Sequence, residues 1–376
     1  MKQDKWIKEL DQETFDLPIN IKYDNEYFGT IQNKFDELIQ VFQQNSAPNY
    51  IIEITKTYTN EILSAINLYY RGNIIQAHTK IFDLIEDCCN DNPFAISHIN
   101  DSIAFLYGVN PLNTEVQFFR ARLNDNVVDY PAKEMLHIPF SQRSIVNTER
   151  FSIPGLPSLY LGNTSYVCWL EMGRPADHRF NVSPVILDNT QTIFNLAINL
   201  QNFFDVLDAA IPILEKEQKL CGLMKLYLLN FATSVNVKEQ KRNFKSEYII
   251  SQMIMLACKN KGLNGITYHS KKVSHDSYAK VLGINLVLFA EYNGERNYSK
   301  ICDHIKNGTS FNYSMFKQLL PSLNYRDYRL RIDNYPHIPY IGSFTRQFPY
   351  DETLFYKFDK YLFAFWDKNL PRGDEE

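Results

Sequence analysis

Between Glu149 and Glu171 the chain reads ERFSIPGLPSLYLGNTSYVCWLE, and no other stretch restricts the fold so tightly. Pro154, Gly155 and Pro157 forbid a helix there, because proline removes a backbone donor and glycine favours a turn. The triplet Leu159-Tyr160-Leu161 then reads as strand and Ser165 to Met172 as a short helix. Arg150, Tyr160 and Glu171 follow one another at intervals of ten and eleven residues across this turn, strand and helix. Tyr160 and Glu171 therefore sit on neighbouring elements that can face one cleft. An arginine forks onto a phosphate, a tyrosine lies against a flat ring, and a buried carboxylate stabilises positive charge on a sugar. Those capacities fit a dinucleotide with a scissile glycosidic bond.

Composition bounds the class. With 376 residues, 45% of them hydrophobic and 14% aromatic, the chain can bury the core of one large domain with an appended piece, or of two domains. The formal charge of -4, from 39 basic and 43 acidic residues, provides no field to draw nucleic acid or anionic lipid. Neither is expected as a partner. The first residues, MKQDKWIKELDQETFD, contain no signal-peptide core, and no window approaches eighteen uncharged apolar residues, so a cytoplasmic protein is expected. Cys88, Cys89, Cys168, Cys221, Cys258 and Cys302 have no CxxC or His-Cys spacing suited to zinc. They read as reduced thiols, and no metal is expected.

The first hundred or so residues read as helix. From Asn49 to Cys89 isoleucines and leucines recur every three or four residues, broken at Arg71-Gly72-Asn73, which predicts a helical hairpin. The pattern changes at Gly108-Val109-Asn110-Pro111, where a domain boundary is expected. Val116 to Leu123 predicts a strand with Arg120 and Arg122 on one face. Tyr130 to Pro157 reads as irregular, a length of connection that is more often functional than passive. Strands follow over Pro157–Gly162, Pro184–Leu187, Thr192–Leu196, Asn264–Ser270 and Asn285–Phe289. Val206 to Ala232 predicts two helices with Cys221-Gly222 as the interruption, and Tyr248 to Lys259 one more helix. Short strands mixed with helices in no strict alternation argue for α+β. The tail from Phe311 to Trp366 is dense in aromatic residues, among them Tyr313, Phe316, Tyr325, Tyr328, Tyr335, Phe344, Phe355 and Phe363, and reads as packing material. The expected segments are an N-terminal helical region 1–112, a core 113–295 and a packed extension 296–376.

Four runs then carry a resemblance. Phe119-Arg120-Ala121-Arg122, the run from Arg150 to Leu161, Trp169-Leu170-Glu171 and the run from Asn264 to Ser270 resemble, in order and spacing, the RES domain, named for its Arg, Glu and Ser. That family is similar in fold to ADP-ribosyltransferases and degrades NAD by phosphorolysis or hydrolysis, often as a growth-arresting toxin paired with an antitoxin. The resemblance implies an ADP-ribosyltransferase-like mixed sheet core behind an N-terminal helical region. It implies catalytic roles for Arg150, Tyr160 and Glu171 and substrate contacts from Arg120, Arg122, Arg150, Tyr160 and Ser270. NAD would be a substrate, not a cofactor, with phosphate or water as acceptor. A protein antitoxin or regulator is the implied partner, and a homo-oligomer is compatible with the chain. Where many members have Arg-aromatic-Asn, this chain has Arg150-Phe151-Ser152.

The chemistry agrees. Nicotinamide is a pyridinium in NAD and leaves as a neutral pyridine, so no general acid is required and one carboxylate, Glu171, suffices to stabilise the oxocarbenium-like ribose. Phosphorolysis also needs an anion pocket, for which Arg120, Arg122 and Arg143 are candidates. His137, His269 and His275 invite a general-base role, yet lone histidines are usually structural. No GxGxxG or Walker loop occurs, which argues against NAD as a redox cofactor. Two alternatives stay open: transfer of ADP-ribose to a macromolecule, and a non-catalytic interaction protein that senses NAD.

Overall fold

Gly72 explains the helical hairpin of the structure, a computed structural model that describes residues 5–101, 115–239, 242–273, 276–323, 338–343 and 345–368. Its φ of 82° lies in the left-handed region that favours glycine, and it turns helix Asn49–Tyr70 back onto helix Ile74–Cys89. Ile51, Tyr58, Ile62 and Ile66 on one helix, and Ala77, Ile81, Leu84, Ile85 and Cys88 on the other, are among the buried positions, so the predicted hairpin is present. The expected boundary at Gly108-Val109-Asn110-Pro111, together with His275, Tyr325, Tyr328, Tyr335 and Phe344, lies outside the described residues.

Two compact units interleave along the chain. Met1–Ser97, Thr148–Ile153 and Thr192–Lys271 make the first, and His98–Asn147, Pro154–Gln191 and Lys272–Glu376 the second. Segment 113–295 thus contributes to both.

In the first unit the hairpin packs with helices Tyr27–Gln44, Ile213–Thr233 and Ile249–Asn260. Strand Ile19–Ile21 pairs in parallel with Val235–Val237, and Thr192–Asn195 with Gly265–His269. The expected interruption at Cys221-Gly222 is not there: helix Ile213–Thr233 runs through it unbroken. The break comes at Ala209 to Pro212, with Pro212 in extended backbone immediately before the helix. Gly222 serves close approach instead, since a Cβ there would fall 2.5 Å from Oδ1 of Asn92, whose Nδ2 donates to the Gly222 carbonyl.

The second unit is built on an antiparallel sheet. Strand Glu115–Leu123 pairs along its whole length with Phe180–Asp188, from Glu115↔Asp188 to Leu123↔Phe180. On its other side it meets Ser158–Gly162 through Phe119↔Gly162, and Ser158–Gly162 pairs with Ile284–Phe289. Strands Ile305–Asn307 and Phe311–Asn312 join the outer edge of Phe180–Asp188. Phe119, Ala121, Phe180, Val182 and Ile186 turn one sheet face toward Phe311, Tyr313 and Phe316 and toward Phe358, Leu362, Phe363 and Trp366 of helix Leu354–Lys368. Aromatic edge-to-face pairs such as Phe119–Phe363, 5.6 Å between centroids, add to that burial. Helices with an antiparallel sheet and short parallel pairs make the architecture α+β, as the irregular alternation predicts.

His137 is a strut in the second unit. It is 1% exposed, its Nδ1 donates to the Ile138 carbonyl at 2.7 Å, and its Nε2 accepts the Ser299 N–H at 3.0 Å. Accepting that N–H requires a neutral ring, and burial lowers its pKa, with the nearby Arg120 charge acting the same way. The unfolded ring, with a pKa of about 6.5, binds a proton that the folded ring refuses. Stability is therefore full above that pH and falls as the pH drops through the window below it. Melting temperature measured from pH 7.5 to 5 is expected to fall more steeply for the native protein than for His137→Gln.

Candidate active site

Thr164 starts the helix that carries Glu171. Its Oγ1 accepts the Val167 N–H at 3.0 Å, a side-chain N-cap, and the helix runs from Ser165 to Glu171. Gly173 at φ 82° and Arg174 at φ 58° end it, with the Gly173 and Arg174 N–H groups returning to the Leu170 and Trp169 carbonyls. Cys168 fixes the inner side: its Sγ donates to the Phe119 carbonyl, and a Cβ on Gly162 would lie 2.8 Å from that sulfur. Burial pushes the Cys168 thiol up to about 12, so it is no nucleophile.

Glu171 is half-buried at the last residue of this helix. Its Oε1 accepts Nδ2 of Asn285 at 2.6 Å, and its backbone carbonyl accepts Nζ of Lys272 at 2.9 Å. Asn285 is 4% exposed and pairs with Gly162 across the two strands. A carboxylate held at one oxygen by a buried amide has lost most of its rotational freedom. Sequence reasoning did not find Asn285. The available signal was that it is the one polar residue in the run Ile284-Asn285-Leu286-Val287-Leu288-Phe289, every position of which is buried.

Strand register sorts the other residues of the second unit. Tyr160 is two residues from Gly162 on the same strand, so Tyr160, Asn285 and Phe119 belong to one face. Arg120 and Arg122 belong to the reverse face. Arg120 Nη1 donates to the Tyr160 carbonyl at 2.8 Å, and Arg122 Nη2 donates to the Leu136 carbonyl at 3.4 Å while its guanidinium lies 5.7 Å from the Tyr130 ring. The structure thus brings Glu171, Asn285 and Tyr160 to one side of the sheet and uses the arginine pair to brace backbone on the other.

Arg150 and Ser270 belong to the first unit, where the structure sets them side by side. Arg150 is 5% exposed. Nη1 donates to the carbonyl of His269, the residue before Ser270, at 3.0 Å, and Nη2 donates to Thr233 Oγ1 at 3.2 Å and Ser234 Oγ at 3.1 Å. The guanidinium also lies 5.0 Å from the Phe151 ring and 4.9 Å from that of Tyr268. His269 is structural in the same unit, donating from Nε2 to the Ile198 carbonyl.

Fold and geometry together define an α+β protein with a half-buried glutamate fixed by an amide at the end of a short helix. Over 296 residues the chain is 31% identical to the Bacillus subtilis (strain 168) protein described as "Putative toxin YopC", a match that takes in 73% of this chain and 64% of that protein. The chain therefore spans somewhat less than two thirds of that relative. No family model matches it. Among solved structures, a chain of the M. tuberculosis MbcT-MbcA toxin-antitoxin complex aligns over 64% of this chain and 96% of its own length, at 9% identity and a TM-score of 0.29, too low to bear on the fold. Among the described residues no helix is long and apolar enough to cross a membrane, and no cluster of three or more His, Cys, Asp or Glu could hold a metal ion.

Proposed function

We propose that this protein is a toxin that degrades NAD by cleaving the bond between nicotinamide and ribose. The observation that carries the reading is the Glu171–Asn285 pair, which holds one carboxylate in a single orientation where the RES-like order of motifs expects the acid. Similarity to a protein described as a toxin supports the biological side. In this reading the C–N bond breaks with its electron pair passing to the pyridinium nitrogen, and nicotinamide departs neutral. Glu171 stabilises the positive charge that develops on the ribose. An oxygen of phosphate or water then bonds to that carbon, and water gives up its proton to solvent. Tyr160 packs against the nicotinamide ribose, as the resemblance implies. A protein antitoxin is the proposed partner.

Incubation of the purified protein with NAD labelled in its adenosine half, with and without phosphate, tests this. Label in ADP-ribose identifies hydrolysis, and label in ADP-ribose phosphate identifies phosphorolysis. Label on macromolecules would replace the reading by ADP-ribosyl transfer, and binding without nicotinamide release by NAD sensing. Asn285→Leu, which removes the bond to Glu171 and adds no polar group, is expected to slow nicotinamide release about 10- to 100-fold with an unchanged KM. Initial rates over a range of NAD concentrations check it.

A further inference from the structure

The helix that ends in Glu171 is anchored at its other end by a carboxylate from the C-terminal part of the chain. Asp359, in helix Leu354–Lys368, is 0% exposed. Its Oδ1 accepts the Ser165 N–H at 3.1 Å, and its Oδ2 accepts the Tyr350 hydroxyl at 2.7 Å. Ser165 Oγ donates in turn to the Phe355 carbonyl at 3.4 Å. Thr164, Ser165 and Tyr350 are all fully buried, so this helix start has no access to water. A first-turn N–H has no partner within its own helix, and a buried one must be met from outside. Asp359 meets it with a carboxyl oxygen, the acceptor that an exposed helix start would find in water.

We infer that Asp359 is a positioning residue for Glu171, so that the C-terminal segment is part of the catalytic apparatus and not only a cover for the sheet. This rests on the proposed function. A seven-residue helix is about 10 Å long and rigid, so a shift at Ser165 is passed on to Glu171. At Glu171 the two holding contacts, from Asn285 and Lys272, are single hydrogen bonds. Removing the anchor loosens the start of the helix that carries the carboxylate, while the Cys168 contact on its inner side remains. Burial and the adjoining Asp359 both raise the pKa of Tyr350, so its hydroxyl stays a donor throughout the physiological range.

The test compares Asp359→Ala, Asp359→Asn and Phe316→Leu with the native protein. Asp359→Asn keeps an acceptor for the Ser165 N–H, and Phe316→Leu loosens the same aromatic core without touching the anchor. Asp359→Ala is expected to lower kcat for nicotinamide release about 100-fold with KM within twofold, with most of the rate recovered in Asp359→Asn. Equal kcat loss in Phe316→Leu at a matched fall in Tm, or a kcat for Asp359→Ala within twofold of native, would overturn the inference. Amide exchange over Val167 to Glu171 gives a readout independent of turnover. Asp359→Ala must accelerate it ahead of strand Glu115–Leu123, and no acceleration overturns the inference even if the native protein releases no nicotinamide. In that last case the absence of release would count against the proposed function alone.

Discussion

Glu171→Gln is expected to cut nicotinamide release from NAD by at least about 1,000-fold, roughly 4 kcal/mol of transition-state stabilisation, while the protein stays folded. The amide is isosteric with the carboxylate, and its oxygen can still accept Nδ2 of Asn285, so the local geometry survives. Only the charge is lost. In the proposed mechanism that charge acts on a ribose that becomes cationic only as the bond breaks, so the loss should fall on kcat and leave KM nearly unchanged. Steady-state kinetics beside a thermal melt checks both halves. A variant that turns over NAD at the native rate would remove Glu171 from the chemistry.

The second large effect is on stability. Arg150→Ala is expected to destabilise the first unit by about 3–5 kcal/mol, because three buried acceptors each lose a hydrogen bond from a charged group, worth about 1.5 kcal/mol apiece. The substitution strips hydrogen bonds from the His269 carbonyl, Thr233 Oγ1 and Ser234 Oγ and removes the guanidinium from beside the Phe151 and Tyr268 rings, which themselves touch at 4.8 Å between centroids. Arg150→Lys should recover only part of the loss, because a single ammonium cannot reach the His269 carbonyl and both hydroxyls with the fork geometry of a guanidinium. Urea unfolding of the three proteins, followed by circular dichroism, measures the order. A melt for Arg150→Ala within 1 kcal/mol of native, on the order of one ordinary hydrogen bond, would show that the clamp does not matter. The same variant must be judged as an activity mutant only where it is demonstrably folded.

The hairpin could be read from the chain because its signals are local. Isoleucine spacing marks the buried stripes of Asn49–Tyr70 and Ile74–Cys89, and Gly72 marks the turn. The strand and helix that carry Tyr160 and Glu171 were legible for the same reason, bracketed by Pro157, Gly162 and Gly173. What escaped depends on partners far away in sequence. Gly222 looks like a helix breaker until Asn92, 130 residues earlier, is seen packed against it. Asn285 looks like any strand residue until Glu171 approaches it, and Asp359, between Phe358 and Lys360, looks like a solvated carboxylate until the start of another helix closes over it. The arginine pair was correctly placed on one strand face. Only the pairing of Phe119 with Gly162 reveals that this face is the reverse of the one bearing Tyr160.

Because the chain alternates between its two units, neither can be completed early. The first needs residues 1–97 together with 192–271, and the second draws on three stretches that end with the last. For a chain leaving the ribosome at a few residues per second, the helical hairpin emerges long before the helix Ile213–Thr233 against which it packs. The second unit receives Glu171 well before Asp359 arrives to anchor it. On this order of synthesis the nascent chain acquires its ordered carboxylate only after helix Leu354–Lys368 has emerged. Fragments that lack residues 1–97 or helix Leu354–Lys368 should accordingly behave as incompletely folded polypeptides.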